Sequence, residues 1–216
     1  MAKNQISYKQ ELIRKSIHLC SLSIPGVYYI TNFEIALFYV LPVFIIVLLI
    51  DLLSKKGMPL HNLVYKYFGA MFREHEKREG WMLNGASWVL IAALLTILIF
   101  PKILAVTSFT ILIISDLSAA LVGRRYGKHP LFDKSWEGTF TFFITSSLIV
   151  VFFWALEGHG NYFLYFGILA SALTAFAESA SSVLKLDDNL AVPAVFSLTM
   201  WLLHPIAVSA GFPYIF

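Results

Sequence analysis

The chain has 216 residues, of which 58% are hydrophobic and only 13% charged, with a mean hydropathy of +0.74 and a formal net charge of +3. Soluble domains carry about a quarter charged residues, so this composition excludes an ordinary soluble enzyme. It predicts an integral membrane protein with a single membrane-embedded domain, residues 1–216. The single cysteine, Cys20, excludes an internal disulfide and a cysteine-rich metal site.

Seven apolar segments approach the length of about 20 residues that a transmembrane helix needs. They predict an all-α fold with about seven transmembrane helices, at residues 16–32, 34–53, 82–100, 103–122, 138–156, 161–183 and 190–210. Pro25 and Gly26 interrupt the first segment, where we expect a kink or a break. Pro193 and Pro205 lie inside the last segment, which is the weakest of the seven candidates.

The longest loop, residues 54–81, carries apolar residues at helical spacing. This pattern predicts an amphipathic helix on the inner membrane surface. The apolar positions are Leu60, Leu63, Val64, Tyr67 and Met71.

Lys and Arg residues are strongly biased to one side of this predicted topology. With the N-terminus inside, 15 of the 16 Lys and Arg residues lie inside, and only Lys102 lies outside. Positive charge in short loops marks the cytoplasmic side of a membrane protein. We therefore expect the N-terminus, and the polar residues discussed next, on the cytoplasmic side.

Asp116 lies near the inner end of the fourth predicted span, on the same helical face as Ala120 and Gly123. An ionised carboxylate in hydrocarbon costs several kcal/mol. A functional role is therefore favoured over a structural ion pair with a neighbouring arginine.

Glycines and cations follow Asp116 directly, at Gly123, Arg124, Gly127 and Lys128. Glycines let a backbone approach an anion, and arginines make forked contacts with phosphate oxygens. Turn glycines with ordinary inner-side charge would explain this stretch by itself. Beside a carboxylate that can bind metal, it predicts a site for a magnesium nucleotide.

The fifth and sixth predicted spans add further polar residues at their inner ends. Ser135 is a candidate N-cap and Glu137 suits the helix dipole, which leaves Lys134 as a phosphate ligand. Glu178 lies at membrane depth, where helix packing does not require a carboxylate. Asp187 and Asp188 either cap the next helix or hold a metal, and the sequence favours neither role.

Arg14, Lys15 and His18 share one face of the N-terminal segment. The two cations alone would be topology signals, and a single histidine is more often structural than catalytic.

Taken together, these residues resemble the CTP-dependent lipid-alcohol kinases, a family that includes dolichol kinases, phytol kinases and the CTP-dependent diacylglycerol kinase. The resemblance runs in family order from residue 14 to residue 193. It rests on Arg14-Lys15-x-x-His18, Ser115-Asp116-x-x-Ala119-Ala120-x-x-Gly123-Arg124-x-x-Gly127, Lys134-Ser135-x-Glu137-Gly138, Glu178-Ser179 and Asp187-Asp188-Asn189-x-x-x-Pro193.

The resemblance implies transfer of the γ-phosphoryl group of CTP to a lipid hydroxyl, with Mg²⁺ or another divalent cation. It implies metal ligands at Asp116, Asp187 and Asp188, and catalytic roles for Asp116, Glu178 and His18. The implied nucleotide ligands are Arg14, Lys15, Gly123, Arg124, Gly127, Lys128, Lys134, Ser135 and Glu137. Expected partners are a lipid alcohol and the bilayer, with no nucleic acid, and a homo-oligomer stays open.

Two alternatives remain. Phosphatidate cytidylyltransferases carry a similar Asp…Gly-Arg…Gly-Lys-His stretch followed by Lys-Thr/Ser-x-Glu-Gly, but their C-terminal signature is missing here. An ion-coupled transporter would place Asp116 and Glu178 near the bilayer midplane between repeats, and the sequence shows no repeat.

Overall fold

The computed structural model describes residues 8–69, 83–158 and 160–211. These residues form an all-α membrane bundle, as predicted from the composition. The helices are α1 (Tyr8–Leu19), α2 (Ser23–Ile30), α3 (Phe33–Leu53), α4 (His61–Phe68), α5 (Gly85–Ile99), α6 (Lys102–Tyr126), α7 (Trp136–Glu157), α8 (Asn161–Ala180) and α9 (Asp188–Ser209). A 3-10 turn, Cys20–Leu22, joins α1 to α2, and strands β1 (Pro130–Leu131) and β2 (Lys134–Ser135) form an antiparallel pair.

Five of the described helices, α3 and α6 to α9, are long and apolar enough to cross a membrane. Helix α5 is apolar but has 15 residues, so it is about 22 Å long, against a hydrocarbon core of about 30 Å. The first predicted span is divided between α1, the 3-10 turn and α2. The polytopic fold is therefore confirmed, whereas the predicted count of seven spans is not.

The break in the first predicted span lies upstream of Pro25. A proline ring inside a helix clashes with the carbonyl group four residues earlier, which here is that of Ser21. The chain accordingly leaves α-helical geometry at Cys20–Leu22 and begins α2 at Ser23, so that Pro25 falls in the first turn of α2. A proline is tolerated there because the first N–H groups of a helix have no intrahelical partner.

Helix α9 is continuous over 22 residues although Pro193 and Pro205 lie inside it. Membrane helices tolerate such prolines when neighbouring groups satisfy the freed carbonyls.

Helix α4 corresponds to the central part of the predicted amphipathic helix, and its apolar residues Leu63 and Tyr67 are exposed. Met71, the last position of that predicted stripe, lies outside the described residues.

Helix α6 is the central helix of the bundle. About two thirds of the residues in its apolar stretch are buried, and the helix contacts α1, α2, α5, α7 and α9. By contrast, α3 packs mainly on α2 and α5 and leaves most of its surface to lipid. Asp116, in the second half of α6, is consequently buried among other helices.

Asp51 joins the end of α3 to the start of α5. It is buried, and its carboxylate accepts hydrogen bonds from Asn84 N (2.8 Å), Ser87 Oγ (2.8 Å) and Lys55 Nζ (2.8 Å). The contacts explain this buried carboxylate as a structural link between two helices.

Strands β1 and β2 form a short hairpin that leads into α7, and the sequence analysis did not predict it. Its two-residue turn places Phe132 at a φ of 52°, which is unusual for a bulky residue. The Phe132 ring packs edge-on against Phe176 of α8, with 5.8 Å between centroids. The N–H of Trp136 donates to the carbonyl oxygen of His129 (2.9 Å) and closes the open end of the hairpin.

Candidate active site

Asp116 lies in the second half of α6 and is 6% exposed. The ammonium group of Lys15, on α1, donates to its Oδ2 atom and is itself buried. The structural alternative for Asp116 was an ion pair with a neighbouring arginine. The partner is instead a lysine 101 positions away in the chain, which brings the N-terminal helix to this carboxylate.

Glu178 lies in the last turn of α8 and is 2% exposed. Its Oε1 atom accepts a hydrogen bond from Lys134 on β2. The same lysine lies 3.7 Å from Oδ2 of Asp188, in the first turn of α9. The hairpin therefore delivers a cation between the end of one helix and the start of the next.

Asp116, Glu178 and Asp188 form a carboxylate cluster, with one oxygen from each lying within 4.8 Å of the others. The Oε2 atom of Glu178 is buried and has no hydrogen-bond partner among the described residues. Such an atom is costly unless a ligand satisfies it. Three converging carboxylates, one of which has an unsatisfied oxygen, offer the oxygen ligands that Mg²⁺ prefers, so the cluster fits a divalent cation.

Lys134 remains positively charged in this environment. Burial by itself would lower the pKa of its ammonium group, but the carboxylates of Glu178, Asp188 and Asp116 outweigh it and raise the pKa above its ordinary value. A stable positive charge at this position can serve either the carboxylates or an anionic ligand.

Helix α1 brings two more predicted residues to the cluster. His18 lies within electrostatic reach of Asp116, Asp188, Lys15 and Arg14. The Nε2 atom of His18 is buried and has no hydrogen-bond partner among the described residues. Arg14 is half-buried on the same helix. The shared face predicted for the N-terminal segment thus points to the carboxylates.

Gly123 and Gly127 lie where α6 meets the start of α7. A Cβ atom at Gly123 would lie 3.2 Å from Ser135 Oγ and 3.3 Å from the Cα of Gly138. At Gly127 it would lie 2.7 Å from Ser135 Oγ and 2.9 Å from Ser135 Cβ. Close packing therefore gives both glycines a structural reason, and their predicted contact with a nucleotide stays a prediction.

Ser135 and Glu137 organise the start of α7. Ser135 Oγ accepts from the N–H of Gly138 (3.2 Å), so it is the predicted N-cap. The carboxylate of Glu137 accepts from the backbone N–H of His129 (3.3 and 3.4 Å), and His129 Nδ1 lies 2.8 Å from Oε1. Both side chains hold the hairpin that carries Lys134.

The remaining predicted residues lie around the cluster. Arg124 is half-buried in the last turn of α6, and Lys128 is exposed just after it. The Oδ1 atom of Asp187 accepts from Asn189 N (3.0 Å) and Asn189 Nδ2 (2.7 Å), so Asp187 caps α9. Of the two adjacent aspartates, Asp188 is the one that joins the carboxylate cluster.

Sequence reasoning missed the contact between Phe132 and Phe176. It connects the hairpin to α8 two residues before Lys134 and Glu178 connect the same two elements. The contact depends on the tight turn at Phe132, where the backbone is left-handed. Phenylalanine does not indicate such a turn in a sequence, so no local signal predicted the contact.

Proteins similar to this chain include named lipid kinases. An uncharacterised protein of Rickettsia prowazekii is 31% identical over 187 residues, which cover 86% of this chain and 91% of that protein. The phytol kinase of Synechocystis is 35% identical over 95 residues, 40% of this chain and 38% of that enzyme. The CTP-dependent diacylglycerol kinase 1 of Schizosaccharomyces pombe is 28% identical over 165 residues, 71% of this chain and 74% of that enzyme.

The chain belongs to the CTP-dependent lipid kinase family. No family model matches the chain, and no solved structure matches it significantly. The resemblance stated from the motifs is therefore confirmed at the level of the family, and the diacylglycerol kinases among these relatives are named as CTP-dependent.

Proposed function

We propose that this protein transfers the γ-phosphoryl group of CTP to the hydroxyl group of a membrane lipid alcohol, and that the carboxylate cluster is its active site. The observation that carries the proposal is the convergence of Asp116, Glu178 and Asp188 from three different helices, with Lys15 and Lys134 beside them. Phosphoryl transfer needs positioning and charge neutralisation more than covalent chemistry, and these residues supply both.

We propose that Asp116, Glu178 and Asp188 hold a divalent cation, most simply Mg²⁺. When bound, such a cation would neutralise charge on the phosphate oxygens. Glu178 Oε2, buried and without a partner among the described residues, supports this assignment. Asp187 was also a predicted ligand, but its contacts with Asn189 favour Asp188.

The cations around the cluster are proposed to hold the triphosphate. Lys15 and Lys134 lie against the carboxylates. Arg14, on α1, and Arg124, in the last turn of α6, are half-buried. Lys128 is exposed on the turn that follows α6. Arginine forks and lysine ammonium groups are the usual protein ligands of phosphate oxygens.

His18 is proposed to orient the lipid hydroxyl. Its Nε2 atom is buried and has no partner among the described residues, and the imidazole lies within electrostatic reach of Asp116 and Asp188. A ring nitrogen in this position can accept a hydrogen bond from the lipid hydroxyl, which holds the oxygen in place, and can take that same proton as the oxygen attacks.

The lipid is proposed to be diacylglycerol, phytol or a polyprenol, all of which present a hydroxyl group on an apolar body. Diacylglycerol takes first place in the assay because the relative named for it aligns over 71% of this chain, against 40% for the phytol kinase.

The active site is proposed to face the cytoplasm. The carboxylate cluster lies at the end of the bundle where α6 and α8 end and α7 and α9 begin. Lys102 lies at the opposite end, where its ammonium group donates to the carbonyl oxygen of Thr31 (2.7 Å). Nearly all Lys and Arg residues are predicted on the side of the cluster, and such an excess of positive charge is typical of the cytoplasmic side of a membrane protein.

Radiolabelled CTP tests the reaction. Purified protein in lipid nanodiscs is given Mg²⁺, CTP labelled at the γ or the α phosphate, and a panel of lipid alcohols and phosphatidic acid. Movement of the γ label to an alcohol is expected. Movement of the α label to phosphatidic acid would identify a cytidylyltransferase, and transfer of neither label by folded protein would refute both activities.

Asp116→Asn is the matching variant, and Asp133→Asn is its control because Asp133 is exposed in the hairpin turn. We expect the first to abolish transfer without loss of membrane insertion, and the second to retain activity. Full activity of folded Asp116→Asn protein would defeat the proposed site.

Single cysteines test the orientation. With Cys20 replaced by serine, a cysteine at position 56 should be protected from an impermeant thiol reagent outside intact cells, and one at position 102 should react. The reverse pattern would place the carboxylate cluster on the other side.

A further inference from the structure

The carboxylate cluster and the cations beside it are held together in the structure. Lys15 contacts Asp116, and Lys134 lies between Glu178 and Asp188, so two ammonium groups offset part of three negative charges. Asp116 and Glu178 are buried and Asp188 is partly buried, and an uncompensated charge in such surroundings is costly. The two lysines are therefore the internal counter-ions of the cluster.

The same two lysines are among the cations proposed for the triphosphate, and one ammonium group cannot neutralise both a carboxylate and a phosphate fully. We infer that Lys15 and Lys134 exchange partners, leaving the carboxylates for phosphate oxygens when a metal nucleotide binds. This inference rests on the proposed function and adds the order in which the site accepts its ligands.

Charge makes the two arrangements exclusive. A divalent cation held by Asp116, Glu178 and Asp188 would lie beside the two ammonium groups that pair with the same carboxylates, and like charges repel strongly at a largely buried site. A lysine can move between acceptors because its ammonium group is a compact charge on a flexible stem of four carbons. Lys134 already lies near two carboxylates, one in direct contact and one at 3.7 Å.

Metal and nucleotide binding are coupled as a result. Metal alone must displace both ammonium groups without offering them another acceptor, so it binds weakly. With a triphosphate, the displaced lysines gain phosphate oxygens. Each ligand therefore raises the affinity for the other by the same factor, and the site takes up the metal nucleotide rather than free metal.

Lys134→Met separates the two roles of the lysine, because methionine keeps much of the side-chain volume and removes the charge. Binding of Mn²⁺ alone is measured by its paramagnetic resonance signal, with the protein in nanodiscs. The affinity for CTP is then measured on the same protein at saturating Mn²⁺. We expect Lys134→Met to bind Mn²⁺ alone at least tenfold more tightly than the unmodified protein, and CTP at least tenfold more weakly.

Lys56→Met is the control, since Lys56 is exposed on the loop after α3 and the variant makes the same change in net charge. Both affinities should stay unchanged in it. Lys15→Met repeats the test at Asp116 and replaces Lys134→Met if that protein does not elute as a single folded species.

Opposite outcomes are informative in different ways. Equal or weaker Mn²⁺ binding by a folded lysine variant would show that the lysine does not compete with metal, and unchanged CTP affinity would show that it never moves to phosphate. Either result overturns the exchange and leaves the proposed function standing. Absence of Mn²⁺ binding from every protein, with or without CTP, would instead remove the proposed metal site and the exchange together.

Discussion

Gly127→Ala should damage the protein through packing against Ser135. The new Cβ atom would lie 2.9 Å from Ser135 Cβ and 2.7 Å from Ser135 Oγ, and would also meet the carbonyl oxygen of Gly123. Carbon atoms pack at about 3.5–4.0 Å, so the turn must open by roughly half an ångström or more. Such overpacking costs about 1–3 kcal/mol. Because Lys134 directly precedes Ser135, the same movement displaces the ammonium group from Glu178.

Thermal unfolding in nanodiscs, followed by tryptophan fluorescence, measures the packing cost. For a chain of this length, about 1–3 kcal/mol lowers the Tm by about 2–12 °C. Gly123→Ala should lower it less, because its closest contacts are 3.2 and 3.3 Å. Gly26→Ala should leave it unchanged or slightly raised, because nothing lies within 4 Å of the added atom and alanine favours a helix.

The same proteins distinguish packing from a direct nucleotide contact. If Gly127→Ala unfolds at the temperature of the unmodified protein and loses only CTP affinity, the packing argument is refuted and the nucleotide contact predicted from the sequence is favoured. If both the Tm and the CTP affinity fall, and fall further at the glycine with the closer contacts, the packing argument is supported.

Three further experiments test the bundle and the hairpin. Asp51→Ala leaves three donors without their acceptor and should cost about 3 kcal/mol or more of unfolding free energy; an unchanged Tm would contradict the structural role. Gly167→Ala places a Cβ atom 2.5 Å from Val150 Cγ1 and should destabilise by about 1–3 kcal/mol, with recovery in the double variant that also carries Val150→Ala. Phe132→Ala and Phe176→Ala should show a coupling of about 0.5–1.5 kcal/mol in a double-mutant cycle of unfolding, whereas strict additivity would show that the ring contact contributes nothing.

The sequence by itself determined the class of the fold and the identity of the polar residues that needed an explanation. A bilayer accepts long apolar helices and rejects isolated charges, so hydropathy located the five long apolar helices of the described residues, although it predicted seven spans, and singled out Asp116 and Glu178. The short motifs, read in order along the chain, were enough to indicate the family. These inferences succeed because each depends on one residue and its solvent, not on a distant neighbour.

Tertiary structure decided which of these residues meet. Lys15 and Asp116 are 101 positions apart, and Lys134 and Glu178 are 44 apart, so no local pattern could pair them. Asp187 caps α9, and Asp188 joins the carboxylate cluster. The two side chains are identical, so only the geometry of the turn before α9 determines which aspartate has which role.

The length of each helix was also decided above the level of composition. The clash of Pro25 with the preceding turn divides the first apolar segment, whereas Pro193 and Pro205 leave α9 continuous. Hydropathy measures how much an apolar segment gains from lipid, but whether that segment stays one helix depends on how its carbonyl groups are satisfied by the helices packed around it.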